Sequence, residues 1–200
     1  MMKLRLRGCI AWVCGALMLA VLAGCASDEV PSETFPMIAP GHLLTLPAPG
    51  DLGRSVEAAQ LITVHQEGKM YVFEGHISVT PEKFLLVGVD GTGRRALTLT
   101  WDRSGKVTAE TAPWMPNAIP PGPMLADIVV LYWPEAIVRH ALKESGATLA
   151  VGSDSRTVMA DGAQILRAEY QEGEPWSGKL RYRNDAWGYD IEVQSVELVP

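Results

Sequence analysis

From Arg54 onward, apolar and polar residues alternate with a period of two. Val56, Ala58, Ile62 and Val64 share one face of the first run, and Glu57, Thr63 and His65 share the other. Glu67-Gly68 reads as a turn, after which Tyr71, Phe73, Ile77 and Val79 fall on one face with Glu74, His76 and Ser78 opposite. Such alternation marks half-buried antiparallel strands, because successive side chains of a pleated chain point to opposite sides. A hairpin turning at Glu67-Gly68 sets His65 opposite Met70 and His76 opposite Ala59, so the two histidines are not partners. Residues 83–89 are apolar on both faces, as in a central strand. Asp90-Gly91-Thr92-Gly93 turns the chain, Leu97, Leu99 and Trp101 form the next inward set, and Arg103-Ser104-Gly105 turns it again before Val107 and Ala109. The alternation resumes over 148–151, 155–160, 163–171, 179–184 and 187–199, around Ser153-Asp154, Asp161-Gly162 and Asn184-Asp185. The pattern amounts to about ten strands joined by hairpin turns, with no repeat of fixed period and no βαβ unit.

A helical stretch interrupts this meander. Residues 112–123 form a loop rich in Pro and Trp, and Pro123 suits a first helical position. The helix expected over 124–133 carries Leu125, Ile128, Val129, Val130, Leu131, Tyr132 and Trp133 around nearly its whole circumference, with Asp127 as its one acid. A helix apolar all round is buried on more than one side. Pro134 starts a second helix running to about Ser145, striped by Ile137, Val138, Ala141 and Leu142 and stopped by Gly146.

The start of the chain follows another pattern. Lys3, Arg5 and Arg7 precede an apolar run from Ile10 to Leu22, which closes on Leu22-Ala23-Gly24-Cys25. This reads as a secretory signal over 1–24 with a lipoprotein cleavage box, leaving Cys25 to carry the lipid; the alternative is ordinary secretion with Cys25 inside the leader. Ala26 and Ser27 follow the cysteine where an Asp would favour inner-membrane retention, so the expected location is the outer membrane, facing the periplasm. Residues 25–53 hold Pro31, Pro36, Pro40, Pro47 and Pro49 and read as an extended spacer, although Leu43, Leu44 and Leu46 suit contact with the domain at 54–200.

Composition narrows the function. Losing the leader removes three basic and no acidic residues, which moves the formal charge from −6 to −9. An acidic chain without a basic stripe lacks what neutralises phosphates, which argues against nucleic acid. With Cys9 and Cys14 in the leader, Cys25 stands alone, so the domain has neither a disulfide nor a cysteine-ligated metal. Catalytic sets are also missing. No GxSxG elbow occurs, Ser153 and Ser155 sit in an apparent hairpin turn, and His42, His65, His76 and His140 are scattered. Gly91-Thr92-Gly93 precedes no helix and is no nucleotide loop. Arg94-Arg95 flank a turn, and Trp114, Trp133 and Trp176 are either pocket lining or core. Asp127 has two readings: a functional one, as a polar fixing point in a ligand cavity or a perturbed acid, and a solvent-facing acid near a helix start, where negative charge is favoured.

The cleavage box, the strand-rich first half and above all the run from Leu125-Ala126-Asp127 to Trp133-Pro134 resemble a family of bacterial lipoproteins with a domain of unknown function. Its members are often encoded among aryl polyene or fatty-acid-like biosynthesis genes, and the family is similar to LolB, the outer-membrane acceptor of lipoproteins. The resemblance implies a mainly β fold with a helical insertion: a strongly curved antiparallel sheet, an open LolA/LolB-like half-barrel, with the helices packed in its concave face as a lid. It implies no enzyme, no cofactor and no metal, but a carrier of acyl, aryl polyene or lipoprotein cargo, with lipoprotein-sorting or biosynthetic-cluster proteins as partners. A scaffold lipoprotein of an envelope complex is the alternative. The candidate cavity residues are Tyr71, Phe73, Leu97, Leu99 and Trp101 from the strands and Leu125, Asp127, Ile128, Leu131 and Trp133 from the helix. LolB carries a loop with an exposed apolar residue; residues 90–93 hold no large apolar side chain, which points to a specialised cargo.

Overall fold

The structure, a computed structural model, describes residues 35–114 and 120–198. The signal segment, Cys25 and the first part of the spacer lie outside them. Ten strands form one antiparallel sheet: β3 (Val56–Gln66), β4 (Lys69–Val79), β5 (Lys83–Val89), β6 (Arg95–Asp102), β7 (Val107–Thr111), β8 (Thr148–Val151), β9 (Ser155–Ala160), β10 (Ala163–Glu174), β11 (Ser177–Asn184) and β12 (Tyr189–Glu197). Their order is β7-β6-β5-β4-β3-β12-β11-β10-β9-β8, so the last strand pairs with the first long one and joins two meanders. The strands β7 and β8 are the two edges, and the sheet does not close into a barrel among the described residues. Glu67 and Gly68 both take positive φ, the two-residue turn that suits a right-twisted hairpin. The resulting register sets His65 against Met70 and Ala59 against His76, as the alternation requires. The strand apolar on both faces, β5, lies between β4 and β6.

Between the edges run α1 (Pro121–Tyr132) and α2 (Glu135–Leu142). The first helix begins earlier than the sequence suggests, with Pro120 as N-cap and Pro121 and Pro123 inside the first turn. The reason is that first-turn N–H groups have no partner within the helix, so prolines there forfeit no hydrogen bond. The second helix is shorter than expected and ends at Leu142, and Gly146 reverses the chain at φ 73°. It buries Val138, Ala141 and Leu142 and holds Arg139 to Glu135 across one turn, at 2.7 Å, on its wet side.

Every residue of α1 from Gly122 to Tyr132, apart from the half-buried Met124, is buried. Its end is held by the sheet. The carbonyls of Val130 and Trp133 accept from Arg156 Nη1 on β9 at 2.6 and 2.8 Å, and that of Leu131 accepts from the Tyr170 hydroxyl on β10 at 2.7 Å. These carbonyls lie in or just beyond the last turn, where helical partners run out. Trp133 also packs against Trp101 on β6 with ring centroids 5.3 Å apart, and Trp101 stacks on Phe84 at 4.0 Å. One residue at the end of α1 therefore touches both β6 and β9.

Residues 35–53 are not an extended spacer; Leu44 and Leu46 lie against the domain, as their apolarity suggested. Strands β1 (Met37–Ala39) and β2 (His42–Leu43) form a small hairpin, and a 3-10 turn follows at Pro49–Leu52. Ile38 is fully buried, as are Leu44 and Leu52 nearly so, whereas Leu43 is exposed. The backbone is tied down as well: Thr45 N–H donates to Ala141 O at 2.9 Å, and Pro47 O accepts from Trp101 Nε1 at 3.1 Å. The prolines obscure this because they break the period, yet they sit where no ladder bond is needed. Ile38→Ala is expected to destabilise the protein by roughly 2–4 kcal/mol in urea unfolding; a free spacer would show no change.

Candidate functional site

Between α1 and the sheet lies a void of about 90 Å³. Its strand walls come from β3 (Ile62, Val64), β4 (Phe73, Ile77), β5 (Leu86, Gly88), β6 (Ala96, Leu97) and β12 (Ile191, Val193). Met124, Ile128 and Leu131 close it from α1 at helical spacing, so one stripe of that helix faces it. The void is smaller than an engineered cavity of about 150 Å³ that binds benzene, and well below the roughly 300–1,000 Å³ of ordinary ligand pockets. As the helix stands, no lipid fits. Small residues keep the void open: a Cβ added to Gly88 would meet nothing nearer than Leu97 Cβ at 3.6 Å.

Three polar side chains share the lining. Gln60 donates through Nε2 to the Tyr132 hydroxyl and to Ser195 Oγ, both at 2.9 Å, which binds α1 to β3 and β12. Tyr182 on β11 also lines the void. Burial pushes both tyrosine hydroxyls well above their ordinary pKa. Sequence reasoning missed all three. Gln60 was accessible in principle, since the period that turns Ala58 and Ile62 inward turns Gln60 inward too.

Of the residues singled out from sequence, Phe73, Leu97, Ile128 and Leu131 line the void. Leu99, Trp101, Leu125 and Trp133 do not; they are fully buried in the close-packed core, where Trp101 and Trp133 join Phe84. Tyr71 is half-buried at the side of that core. Trp176 is buried and lies 4.3 Å from the Tyr132 ring, while Trp114 is exposed beneath the Arg94 guanidinium at 4.3 Å. Arg94 also clasps Asp90 across its turn at 2.7 Å.

Asp127 is neither a fixing point in the void nor a solvent-facing acid, but it is the perturbed acid that its place on an apolar helix suggested. It is 1% exposed and lies outside the lining of the void. Its Oδ1 accepts from Asn184 Nδ2 at 2.9 Å and its Oδ2 from the Tyr189 hydroxyl at 2.6 Å, so it ties the middle of α1 to β11 and β12. Asn184, expected in a hairpin turn, is fully buried and pairs with Tyr189, leaving 185–188 as the connection. Its Oδ1 accepts the N–H groups of Ala186 and Trp187, which frees Nδ2 for the carboxyl. Desolvation raises the Asp127 pKa to about 7 against the pull of these two hydrogen bonds.

That shift couples stability to pH. The native carboxyl keeps a proton that the unfolded chain releases near pH 4, so its contribution is complete below about 4 and fades as pH rises through about 7. Asp127→Asn preserves both contacts, with an amide N–H donating to Tyr189 and a carbonyl accepting from Asn184. Urea unfolding should show the wild type losing roughly 3 kcal/mol more than this variant between pH 5 and pH 8. Parallel pH profiles would refute the coupling.

A family model described as a protein of unknown function, DUF3261, matches residues 57–197. That span holds nearly all of the ten-stranded sheet and both helices. A search of curated proteins finds no match. Among solved structures, the crystal structure of a DUF1329 family protein from Desulfovibrio piger is similar at 6% identity and a TM-score of 0.32, over 74% of this chain and 87% of that one. So distant a superposition assigns neither fold nor function.

Proposed function

The chain belongs to the DUF3261 family of proteins of unknown function, and we propose that its domain is a non-enzymatic module that binds a hydrophobic, lipid-like molecule between α1 and the sheet. The observation that carries this is the apolar void, held open by Gly88 and Ala96 in an otherwise close-packed interior. In this reading the sheet curls into an open half-barrel and α1 is its movable plug. The contacts of Trp133 support the curl. Laid flat, β6 and β9 are seven steps apart in strand order, about 34 Å at the usual spacing, yet one residue reaches both. Occupation by an acyl or polyene chain requires α1 to shift, because the void alone is too small. The free energy would come from apolar burial, at about 25 cal/mol per Å².

In the same reading, acylated Cys25 anchors the protein in the outer membrane with the domain in the periplasm, and residues 26–34 link the two. The support is the Leu22-Ala23-Gly24-Cys25 box behind a basic start. Partners would be the proteins that make, deliver or take up the cargo.

One observation favours a scaffold instead. Arg156, Tyr170, Asn184, Tyr189 and Gln60 all hold α1, as a permanently closed core would demand. Gly88→Ala separates the two readings. It places a methyl group in the void without a clash and in a strand without a positive φ, and should stabilise the protein by roughly 0.5–1 kcal/mol. A binding module is expected to lose several-fold in affinity for a fluorescent fatty-acyl probe as it gains stability. Unchanged probe binding, or no binding by the wild type, would favour the scaffold.

A further inference from the structure

The polar part of the lining has a definite chemistry. Gln60, Tyr132 and Tyr182 are its only polar side chains, all three are uncharged, and no Lys, Arg, His, Asp or Glu joins them among the described residues. Gln60 and Tyr132 are engaged with each other and with Ser195. The Tyr182 hydroxyl has no hydrogen-bond partner among the described residues, although its ring packs edge-on against Tyr189 at 6.4 Å. Tyr182 is half-buried, and a phenol left this way in an apolar wall offers a ligand one donor and one acceptor.

The surroundings select against charge. Asp127 accepts from Tyr189 at 2.6 Å, and a carboxylate there disfavours a second negative charge at Tyr182, which packs on Tyr189. Arg167, Arg181 and Arg183 are close in sequence, but alternation along β10 and β11 puts them on the opposite face of the sheet. Each is paired there, with Glu169, Glu192 and Asp185 respectively. An anionic head would therefore be buried without a counter-charge. A cationic head finds both Asp127 oxygens already taken by Asn184 and Tyr189. Burying an unpaired charge costs far more than the single hydrogen bond on offer.

Building on the binding role proposed above, we infer that the ligand is an apolar molecule ending in an uncharged hydrogen-bonding group, such as an alcohol, amide or ester, held by the Tyr182 hydroxyl. Free fatty acids and phospholipid head groups are poor fits to this end of the void.

The test is calorimetric titration of the purified protein at pH 7.5 with 1-decanol, decanoate and decylammonium, three probes with one tail and different heads. Decanol is expected to bind at least tenfold more tightly than either ion. Tyr182→Phe, which removes only the hydroxyl, should weaken decanol roughly fivefold, the worth of one neutral hydrogen bond, and leave the weak ion binding unchanged. Either ion binding as tightly as decanol, or full decanol affinity in Tyr182→Phe, would overturn the inference while leaving the binding role standing. Failure of all three probes to bind would overturn the binding role, and this inference with it.

Discussion

A helix of twelve residues with apolar side chains on every side cannot rest on one surface. It must be enclosed, and the rest of the structure supplies the enclosure. The sheet meets α1 from β3 to β6 on one side and from β9 to β12 on the other, and the β1-β2 hairpin covers more of the core. Removing so much apolar surface from water is the largest favourable contribution to this fold. It also explains why a hairpin ahead of the sheet is pulled out of the Pro-rich segment and packed down.

Enclosure creates a second demand. A helix buried among strands brings terminal carbonyls and polar side chains with it, and each needs a partner. Arg156 and Tyr170 serve the carbonyls, Asn184 and Tyr189 serve Asp127, and Gln60 with Ser195 serves Tyr132. These bonds are spread along α1, from its middle to its end. None falls in its first turn, where Pro121 and Pro123 have no N–H to offer and Pro120 provides no cap. The helix is thus held from the middle onward, while Met124, at the edge of the void, is only half-buried.

Much of the sheet was legible in the residues because its signal is local. Alternation along β3 and β4, and a Glu-Gly turn between them, fix both register and facing, since a slip of one residue would turn every apolar side chain outward. The same logic gave ten strands in the right places, with ends that differ by a few residues. Residues 35–53 were legible only in part: Leu44 and Leu46 pack on the domain as their apolarity suggested, but the hairpin and the buried Ile38 depend on an acceptor surface built from α2 and Trp101, far away in the chain. The division of the candidate cavity residues was hidden for a similar reason. Leu97 and Leu99 share a face of one strand, yet the first lines the void and the second is packed solid.

By itself the sequence determined the antiparallel meander and its interruption by one all-apolar helix and one amphipathic helix. These follow from period, turn chemistry and composition, which are properties of neighbouring residues. Only the tertiary structure decided that Asp127 is a buried tie to β11 and β12 rather than a surface acid or a cavity group. It also decided that Asn184 leaves its turn to meet that acid, and that Gln60, Tyr132 and Tyr182 are the polar members of the void. Each of these depends on which strands contact α1, and those contacts join residues 57 or more positions apart.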